Sequence, residues 1–459
     1  MVLRLFNTLS RSLEEFQPLG PDSVGLYTCG PTVYNYQHVG NYRTYIFEDT
    51  LRRTLRLCGH KVRHVMNITD VGHLVSQGDE GEDKMEVGAS REGKTAWDIA
   101  KIYTQAFLQD CRRLNLLAPD VLCRATEHIP EQIALVQRLE AKGFVYKTSD
   151  GLYYDTSKFA GYARLAGESH IAGIREGSRV GANPEKLHPT DFALWKFSPA
   201  DQKRQMEWES PWGKGFPGWH LECSAMAMKY LGETFDIHCG GVDHIPIHHT
   251  NEIAQAEGAT GQPFVRYWLH GEFLLMNNAK MAKSAGGFVT LAALQEKGVD
   301  PLDYRCHCLG AHYRKQLDFT WESLEGAKVA RRRLCESVRA LPPADRVQAD
   351  SEFAQALRAS LCEDLNTSGA MAALWDGLRS GLPAPEKARL AALAEETLGL
   401  GLFAAEDHSL PPELQALVDR RAQARQDKDF ALSDSLRKEL EGKGILVEDT
   451  KQGQRWRKR

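Results

Sequence analysis

The chain has 459 residues, of which 42% are apolar and 26% are charged. This length exceeds what one hydrophobic core usually holds and predicts about two to four domains, while no apolar stretch approaches the roughly 18 to 20 residues of a membrane span. The net charge of −4 does not by itself indicate a nucleic-acid-binding protein. Glu14 and Glu15 interrupt the short apolar start of the chain, so we expect no signal peptide. Ten scattered cysteines favour a reducing compartment, and we expect a cytoplasmic protein.

The first 75 residues alternate between strand, turn, helix and strand. The apolar segment "VGLYTCG" precedes the longer "NYRTYIFEDTLRRTLRLCG", and "KVRHVMNIT" returns to β-forming residues. This order predicts an α/β fold that begins with a βαβ unit in a parallel sheet. We expect Asn41 to cap the start of the helix and Gly59 to end it. His38 then lies where the helix N-terminus opens, a position that favours anions.

The middle and the end of the chain depart from this pattern. A helical segment followed by short β segments with turns predicts an insertion between residues 119 and 215. From residue 218 helix and strand alternate again, which indicates that the first domain resumes. After about residue 320 the periodicity is nearly all helical, and the Pro-rich breaks near residues 341, 381 and 409 are candidate boundaries.

A motif of interest, "KMAKSAGG" at residues 280–287, carries two lysines in a loop of small residues. Lysine is a compact, movable positive charge, so the pair could neutralise a polyphosphate and follow its leaving group. A solvated surface loop is the alternative, because exposed lysine pairs are common. Together with the sequence His38-Val39-Gly40-Asn41, however, the motif resembles the two signatures of class I aminoacyl-tRNA synthetases, HIGH and KMSKS.

This resemblance implies a Rossmann-type catalytic domain that binds ATP and stabilises the transition state of adenylate formation. It implies catalytic roles for His38, Lys280 and Lys283. The ATP-binding residues that it implies are His38, Gly40, Asn41, Lys280, Met281, Lys283 and Ser284. Both signatures depart from the ideal form, since Asn41 replaces the second His and Ala282 replaces the first Ser. An Asn can still donate a hydrogen bond at a helix start, and Ala282 removes only a hydroxyl.

A third group of residues, Cys29, Cys223, His248 and Glu252, consists of side-chain types that bind zinc. His248 and Glu252 are four positions apart, so on a helix they share one face. Spacing alone favours ordinary buried Cys and His residues. The motifs "YTCGPTVY", "GWHLECSAMA", "DIHCGG" and "HHTNEIAQ" nevertheless resemble those of the cysteinyl-tRNA synthetase family. That resemblance implies that the four residues bind one zinc ion at the amino-acid site.

The same resemblance implies a cysteine-binding pocket formed by Cys29, Thr69, Trp219 and His238. For His238, a hydrogen-bonded core histidine is the alternative. A metal suits this substrate because apolar contacts separate a thiol poorly from a hydroxyl of similar shape. Zinc, in contrast, binds a thiolate far better than an alcohol at neutral pH.

The carboxyl-terminal region also resembles this family, in the segments "EDLNTSGAMAALW" and "RAQARQDKDFALSDSLRKELEGKGILVEDTKQGQRW". Residues 411–459 carry 12 Lys and Arg against 9 Asp and Glu, a net charge of +3. Trp456, between Arg455 and Arg457, could stack on an unpaired anticodon base. Packing of Trp456 in a small terminal core is the alternative.

The resemblance therefore covers essentially the whole chain and implies six successive segments. They are the first half of the Rossmann catalytic domain (1–118), a connective insertion (119–215), the second half of the catalytic domain (216–262), a stem-contact region with the KMAKS loop (263–325), a helical anticodon-binding bundle (326–405) and a C-terminal anticodon-recognition module (406–459).

These features imply a monomeric, cytoplasmic ligase that activates L-cysteine with ATP and Mg²⁺ and transfers it to the 3′-terminal adenosine of tRNA-Cys. Two alternatives remain open. A ligase that joins cysteine to an amino sugar resembles the catalytic half but lacks the terminal module. A synthetase-like protein that lost ATP chemistry through Asn41 and Ala282 would only bind nucleic acid, although His38, Lys280 and Lys283 favour an active enzyme.

Overall fold

A computed structural model divides the chain into two compact units, Met1–Leu402 and Phe403–Arg459. The structure describes residues 1–72, 83–169, 171, 173, 183–199, 204–276, 279–280, 288–344, 349–403, 412–450 and 453–458. The candidate site and the elements that support it belong to the first unit.

The regular elements alternate as an α/β fold requires. The strands are β1 (Arg4–Asn7), β2 (Ser12–Glu15), β3 (Val24–Thr28), β4 (Val62–Ile68), β5 (Val121–Arg124), β6 (Val145–Lys147), β7 (Gly151–Tyr154), β8 (Phe192–Phe197), β9 (Gly215–Pro217), β10 (Phe235–Gly241), β11 (Val265–Gly271), β12 (Leu274–Met276), β13 (Ala279–Lys280), β14 (Leu317–Phe319), β15 (Ile445–Thr450) and β16 (Gly453–Lys458). The α-helices are α1 (Val39–Leu57), α2 (Lys84–Glu92), α3 (Ala96–Arg113), α4 (Ile129–Ala141), α5 (Trp219–Leu231), α6 (Thr250–Thr260), α7 (Leu291–Glu296), α8 (Pro301–Leu309), α9 (Trp321–Arg339), α10 (Glu352–Cys362), α11 (Thr367–Arg379), α12 (Ala384–Leu398), α13 (Pro412–Gln426) and α14 (Phe430–Gly442).

A parallel sheet forms the centre of the first unit, with its strands in the order β11-β10-β3-β4-β5. The predicted βαβ unit is confirmed, because β3 and β4 are parallel neighbours joined through α1. From β3 the chain continues to one side of the sheet, and it later places β10 and β11 on the other side. The boundary between β3 and β10 is therefore the switch point at which open α/β sheets bind ligands.

Helix α1 begins after His38, so the prediction of Asn41 as its N-cap is wrong. The backbone N–H of Asn41 donates to Nδ1 of His38 at 3.1 Å, and Oδ1 of Asn41 accepts from the backbone N–H of His38 at 3.2 Å. The two residues thus form a reciprocal capping box with an imidazole in place of the usual hydroxyl or carboxylate. At the other end, Gly59 follows the helix with φ of 88°, in the left-handed region, as predicted.

The insertion expected between residues 119 and 215 contains an antiparallel sheet in the order β6-β7-β8-β9. The predicted helix and β segments are confirmed by α4 and by strands β6 to β8. Leu139 of α4, Leu152 and Trp195 of the sheet and Leu221 of α5 share one hydrophobic core. The insertion therefore packs against the helix that carries Cys223.

The helical part of the first unit contains α9 to α12, as the periodicity predicts. In the second unit, helices α13 and α14 pack with the hairpin β15–β16. Trp456 is half-buried, lies opposite Val447 and packs against the apolar core of this unit. This contact favours the core interpretation of Trp456. None of the helices in the described ranges is long and apolar enough to cross a membrane.

A buried cluster of charges joins α1 to the helical part of the unit. Asp49 Oδ2 accepts from Arg53 Nε at 2.7 Å and from Arg305 Nη2 at 2.5 Å. Arg305 is fully buried and also donates to the carbonyl oxygens of Leu398 and Leu114. Burial acts to raise the pKa of Asp49, but the two arginines beside it hold the pKa below its usual value.

We predict that Asp49→Ala lowers the free energy of unfolding by about 3–5 kcal/mol, because Arg305 is left as a buried charge without its carboxylate. Chemical denaturation at pH 7 measures this loss. Glu363→Ala is the matched control, since Glu363 pairs with Arg4 at the surface and such pairs contribute less than about 1 kcal/mol. Equal losses in the two variants would contradict the assignment. Because the pKa of Asp49 is lowered, its contribution persists at neutral pH and is lost as the pH falls through that lowered value.

Candidate active site

The candidate site lies at the carboxyl ends of β3 and β10. Cys29 follows β3 directly, and His38 caps the next helix. Cys223 is in α5, whereas Glu252 is in the first turn of α6. His248 lies in a π-helical turn, Ile245–His249, that leads into α6. Residues far apart in the chain therefore meet at one edge of the sheet.

The turn that carries Cys29 depends on the residue after it, Gly30. The N–H of Gly30 donates to Oδ1 of Asn67 at 2.8 Å, and a Cβ on Gly30 would lie 1.6 Å from the carbonyl oxygen of Asn67. Only glycine fits at this distance. The N–H of Cys29 donates to the carbonyl oxygen of Cys239 at 3.3 Å. Both neighbouring strands thus hold the Cys29 backbone in place.

A cavity of about 300 Å³ opens at this edge of the sheet. The predicted site residues that line it are Cys29, His38, Asn41, Thr69, Trp219, Cys223 and His248. His238 is fully buried and does not line the cavity, and its Nε2 lies 2.9 Å from Oε2 of Glu252. The structure thus brings predicted metal, cysteine and ATP residues to one cavity and places His238 behind Glu252.

The four predicted metal ligands form one buried cluster. One ligand atom from each of Cys29, Cys223, His248 and Glu252 lies within 4.8 Å of the other three. The two sulfur atoms are 3.9 Å apart, and Nε2 of His248 is 3.0 Å from Oε1 of Glu252. Two sulfurs, one imidazole nitrogen and one carboxylate oxygen are the donors of a tetrahedral zinc site. The residues present therefore fit a metal ion.

The electrostatics of this cluster favour the ionised forms of Cys223 and Glu252. Burial acts to lower the pKa of His248, but Glu252 beside it raises the pKa to about 10. The hydrogen bond from Cys29 lowers the pKa of Cys223 to about 7, whereas burial raises the pKa of Cys29. Burial acts to raise the pKa of Glu252, but His238 and His248 beside it lower the pKa to about 2. A carboxylate and one readily formed thiolate are thus available at neutral pH, and metal ligands must be deprotonated.

A second group of ligand atoms overlaps the first, because Cys29 and Glu252 are also close to His238 and His249. Cys29, Cys223 and His248 line the cavity, but His238 and His249 do not. An ion held by the first group would therefore be in reach of a molecule in the cavity. We place the candidate metal centre at the first group for this reason.

Several residues around the site were not predicted from the sequence. Nδ1 of His220 lies 2.9 Å from Nδ1 of His248, and Nε2 of His249 lies 3.4 Å from Sγ of Cys29. Thr69 donates to Oε2 of Glu222 at 2.9 Å. Lys84 lines the cavity, with its Nζ 5.2 Å from the centre of the Trp219 ring. Three of these residues stand next to predicted ones in the sequence: His249 follows His248, His220 follows Trp219, and Glu222 precedes Cys223. This adjacency was the signal that the sequence offered for them.

For the KMAKS loop, the structure describes only the residues at its two ends. Lys280 ends β13 and pairs with Leu275, and residues 281–287, with Met281, Lys283 and Ser284, lie outside the described residues. Beyond them, the N–H of Val39 donates to the carbonyl oxygen of Val289 at 2.8 Å, and Thr290 pairs with His38. Gly40 follows His38 in the first turn of α1, and a Cβ there would lie 3.0 Å from the His38 ring. The chain that leaves the KMAKS loop therefore runs beside the HVGN turn.

Two family descriptions match the chain. Residues 15–329 match the catalytic domain of class I tRNA synthetases of the C group, and residues 407–457 match the anticodon-binding domain of cysteinyl-tRNA ligases. Among solved structures, a Mycobacterium tuberculosis methionyl-tRNA synthetase with methionyl-adenylate is similar, with a TM-score of 0.58 at 14% identity over 83% of this chain and 93% of that chain. The fold is therefore that of a class I aminoacyl-tRNA synthetase.

Curated relatives narrow this class to one family. A protein named cysteine–tRNA ligase 1 from Burkholderia lata is 53% identical over 99% of this chain and 97% of its own length. A cysteine–tRNA ligase from Treponema denticola is 43% identical over the whole of both chains, and one from Novosphingobium aromaticivorans is 44% identical over 97% of this chain and 95% of its own length. The chain belongs to the cysteine–tRNA ligase family.

We predict that Cys223→Ser and Glu252→Gln each lower the affinity for a divalent metal at least about 100-fold, because loss of an outer partner alone commonly costs about 10- to 100-fold. Titration with Co²⁺, followed by its thiolate absorption, measures this affinity. Cys239→Ser is the matched control, since Cys239 is also fully buried but lies in neither ligand group. Loss of metal binding in Cys239→Ser to the same degree would contradict the assignment.

Proposed function

We propose that this protein is a cysteine–tRNA ligase. It activates L-cysteine with ATP, which gives cysteinyl-adenylate and pyrophosphate, and then transfers cysteine to the 3′-terminal adenosine of tRNA-Cys. Membership of the family supports this function. The observation that carries it is that one cavity is lined both by Cys29, Cys223 and His248 and by His38 and Asn41.

The first group of side chains serves to select the amino acid. Cys29, Cys223, His248 and Glu252 would hold Zn²⁺, which supplies a Lewis acid that binds a thiolate much more strongly than a hydroxyl. Trp219 and Thr69 form the adjoining cavity wall, and Glu222 fixes the Thr69 hydroxyl. His238 orients Glu252 by binding its second oxygen. Serine, which has the same shape but no thiol, is thereby rejected.

The second group of side chains serves the ATP reaction. The cysteine carboxylate is already ionised, so it attacks the α-phosphate without a general base. His38, the N-terminus of α1, Lys280 and Lys283 position the phosphates and stabilise the charge that develops on them. Gly40, Asn41, Met281 and Ser284 complete the ATP-binding residues that the family resemblance implies, and Mg²⁺ accompanies the nucleotide.

The remaining parts of the proposal concern the tRNA and the setting of the enzyme. We assign a separate role to each of the six segments named in the sequence analysis, from the two halves of the catalytic domain to the module at 406–459. Binding of the tRNA-Cys anticodon is assigned to the carboxyl-terminal segments, supported by the family match over 407–457. We further propose that the protein acts as a monomer in the cytoplasm.

Cysteine-dependent exchange between ATP and pyrophosphate tests the proposed function, with serine as the competing amino acid and the metal content of the same sample determined in parallel. We expect exchange with cysteine and little with serine. A folded, metal-loaded protein that shows no exchange would overturn the proposal. It would instead favour a protein that binds nucleic acid without ATP chemistry. Asn41→His would then be the first substitution to test, because the HIGH signature has His at this position.

We predict that Lys283→Ala lowers the rate of exchange at least about 100-fold, because a positive charge that stabilises the transition state is lost. Cysteine binding, measured by calorimetry, should change little. Lys297→Ala is the matched control, since Lys297 is an exposed lysine beyond the loop whose Nζ lies over the Trp321 ring. Equal losses of exchange and of cysteine binding in Lys283→Ala would contradict its proposed role.

Deletion of residues 406–459 separates the proposed function from cysteine ligation to an amino sugar. The deletion falls within the second compact unit, so we expect the shortened chain to keep ATP–pyrophosphate exchange. Charging of tRNA-Cys should fall at least about 100-fold, because the anticodon contacts are lost. If full charging of tRNA-Cys survives the deletion, the assigned role of this segment is wrong. Turnover of an amino sugar by the intact chain would favour the alternative ligase.

A further inference from the structure

A second cavity of about 160 Å³ lies between α1, α3 and the sheet strands β4 and β5. Its apolar wall includes Met66 of β4 and Phe107 and Leu108 of α3. Its volume is close to that of an apolar protein cavity of about 150 Å³ that binds benzene. The space is therefore large enough for a molecule with one six-membered ring.

The side chain of Glu48 lines this cavity from α1 and is only 1% exposed. Neither of its carboxyl oxygens has a hydrogen-bond partner within the described part of the chain. Burial raises the pKa of Glu48 well above its usual value, which favours the neutral acid, and a neutral carboxyl group can both donate and accept a hydrogen bond. A buried polar group without a partner is rare in proteins and calls for an explanation.

Several other polar side chains around the cavity have partners. Asp49 binds Arg53 and Arg305, and Arg52 donates to both carboxylate oxygens of Asp120 at 2.9 and 3.0 Å. The ring of His64 lies 2.9 Å from the Thr28 hydroxyl. Among the described residues that line the cavity, both carboxyl oxygens of Glu48 and Nε of Arg52 lack a hydrogen-bond partner. Glu48 thus presents open hydrogen-bonding capacity to an apolar space.

We infer that this cavity is a binding site for a small neutral molecule that carries one aromatic ring and one hydroxyl group. The ring would pack against Met66, Phe107 and Leu108, and the hydroxyl would bind the carboxyl group of Glu48. A charged ligand is disfavoured, because ionisation of Glu48 in this setting is costly and guanidinium and carboxylate groups flank the cavity. Tyr45 lines this cavity as well as the candidate active site, so the occupant would contact a residue that borders both.

Phenol is the probe for this site, and toluene is the matched probe without the hydroxyl. Binding to the full chain is followed in solution by ligand-detected NMR and located by crystallography. We expect the native protein and Glu48→Gln, which keeps a hydrogen-bonding group, to bind phenol saturably. Glu48→Met should weaken phenol binding at least about fivefold while retaining toluene, because the hydroxyl loses its partner. Leu108→Trp, which fills the space from a partly exposed position, should abolish binding of both.

The thermal stability of Glu48→Met provides a separate measurement. Replacing an unpartnered buried carboxyl by an apolar side chain of similar size should raise the melting temperature of the ligand-free protein. A clear fall would show that Glu48 has partners in the folded chain and would overturn the inference. Three other results would also overturn the inference. One is failure of the native protein to bind phenol, and another is equal binding of phenol by the native protein and Leu108→Trp. The third is a crystal grown with phenol that shows only ordered water in the cavity.

Discussion

The pairing of Asp49 with Arg53 and Arg305 is the interaction on which the arrangement of the first unit depends. A buried guanidinium must find acceptors, and Arg305 finds them on three separate segments: the Asp49 carboxylate and the carbonyl oxygens of Leu398 and Leu114. These contacts join helix α1 to the helical part of the unit. Breaking them would leave buried charges unpaired, which costs several kcal/mol of stability. The same helix presents His38 at its start and Tyr45 and Glu48 along its length. The position of one helix thus sets the active-site edge and the inner cavity together.

The candidate site separates two kinds of recognition within one cavity. Sulfur and imidazole groups gather where α5 and α6 approach the sheet, and the N-terminal residues His38 and Asn41 of α1 line the same cavity. Glu252 lies between two histidines, with Nε2 of His248 3.0 Å from Oε1 and Nε2 of His238 2.9 Å from Oε2. Its low pKa is a consequence of this arrangement. The carboxylate stays charged although no part of it reaches water.

Much of the fold could be predicted from the sequence, because β3, α1 and β4 follow local patterns of apolar residues and stop signals. The cap of α1 was predicted wrongly because His38 and Asn41 cap each other, and His is not a usual capping residue. The metal cluster was accessible only through family resemblance, since Cys29 and Cys223 are 194 residues apart and no spacing rule connects them. The contacts of His220, His249 and Lys84 with this cluster and its cavity depend on tertiary packing. For the two histidines, the sequence offered only their position next to the predicted residues Trp219 and His248, and for Lys84 it offered no signal.

The distribution of the cluster along the chain has a consequence for biosynthesis. Cys29 leaves the ribosome early, whereas Cys223, His248 and Glu252 follow only after the insertion has been made. At about 5–20 residues per second, the delay between the first and last of these side chains is roughly 10–45 s. During that interval Cys29 is a thiol without its partners. Cys29 must therefore stay reduced while the chain is being made. The four ligands can come together only when α6 has emerged from the ribosome.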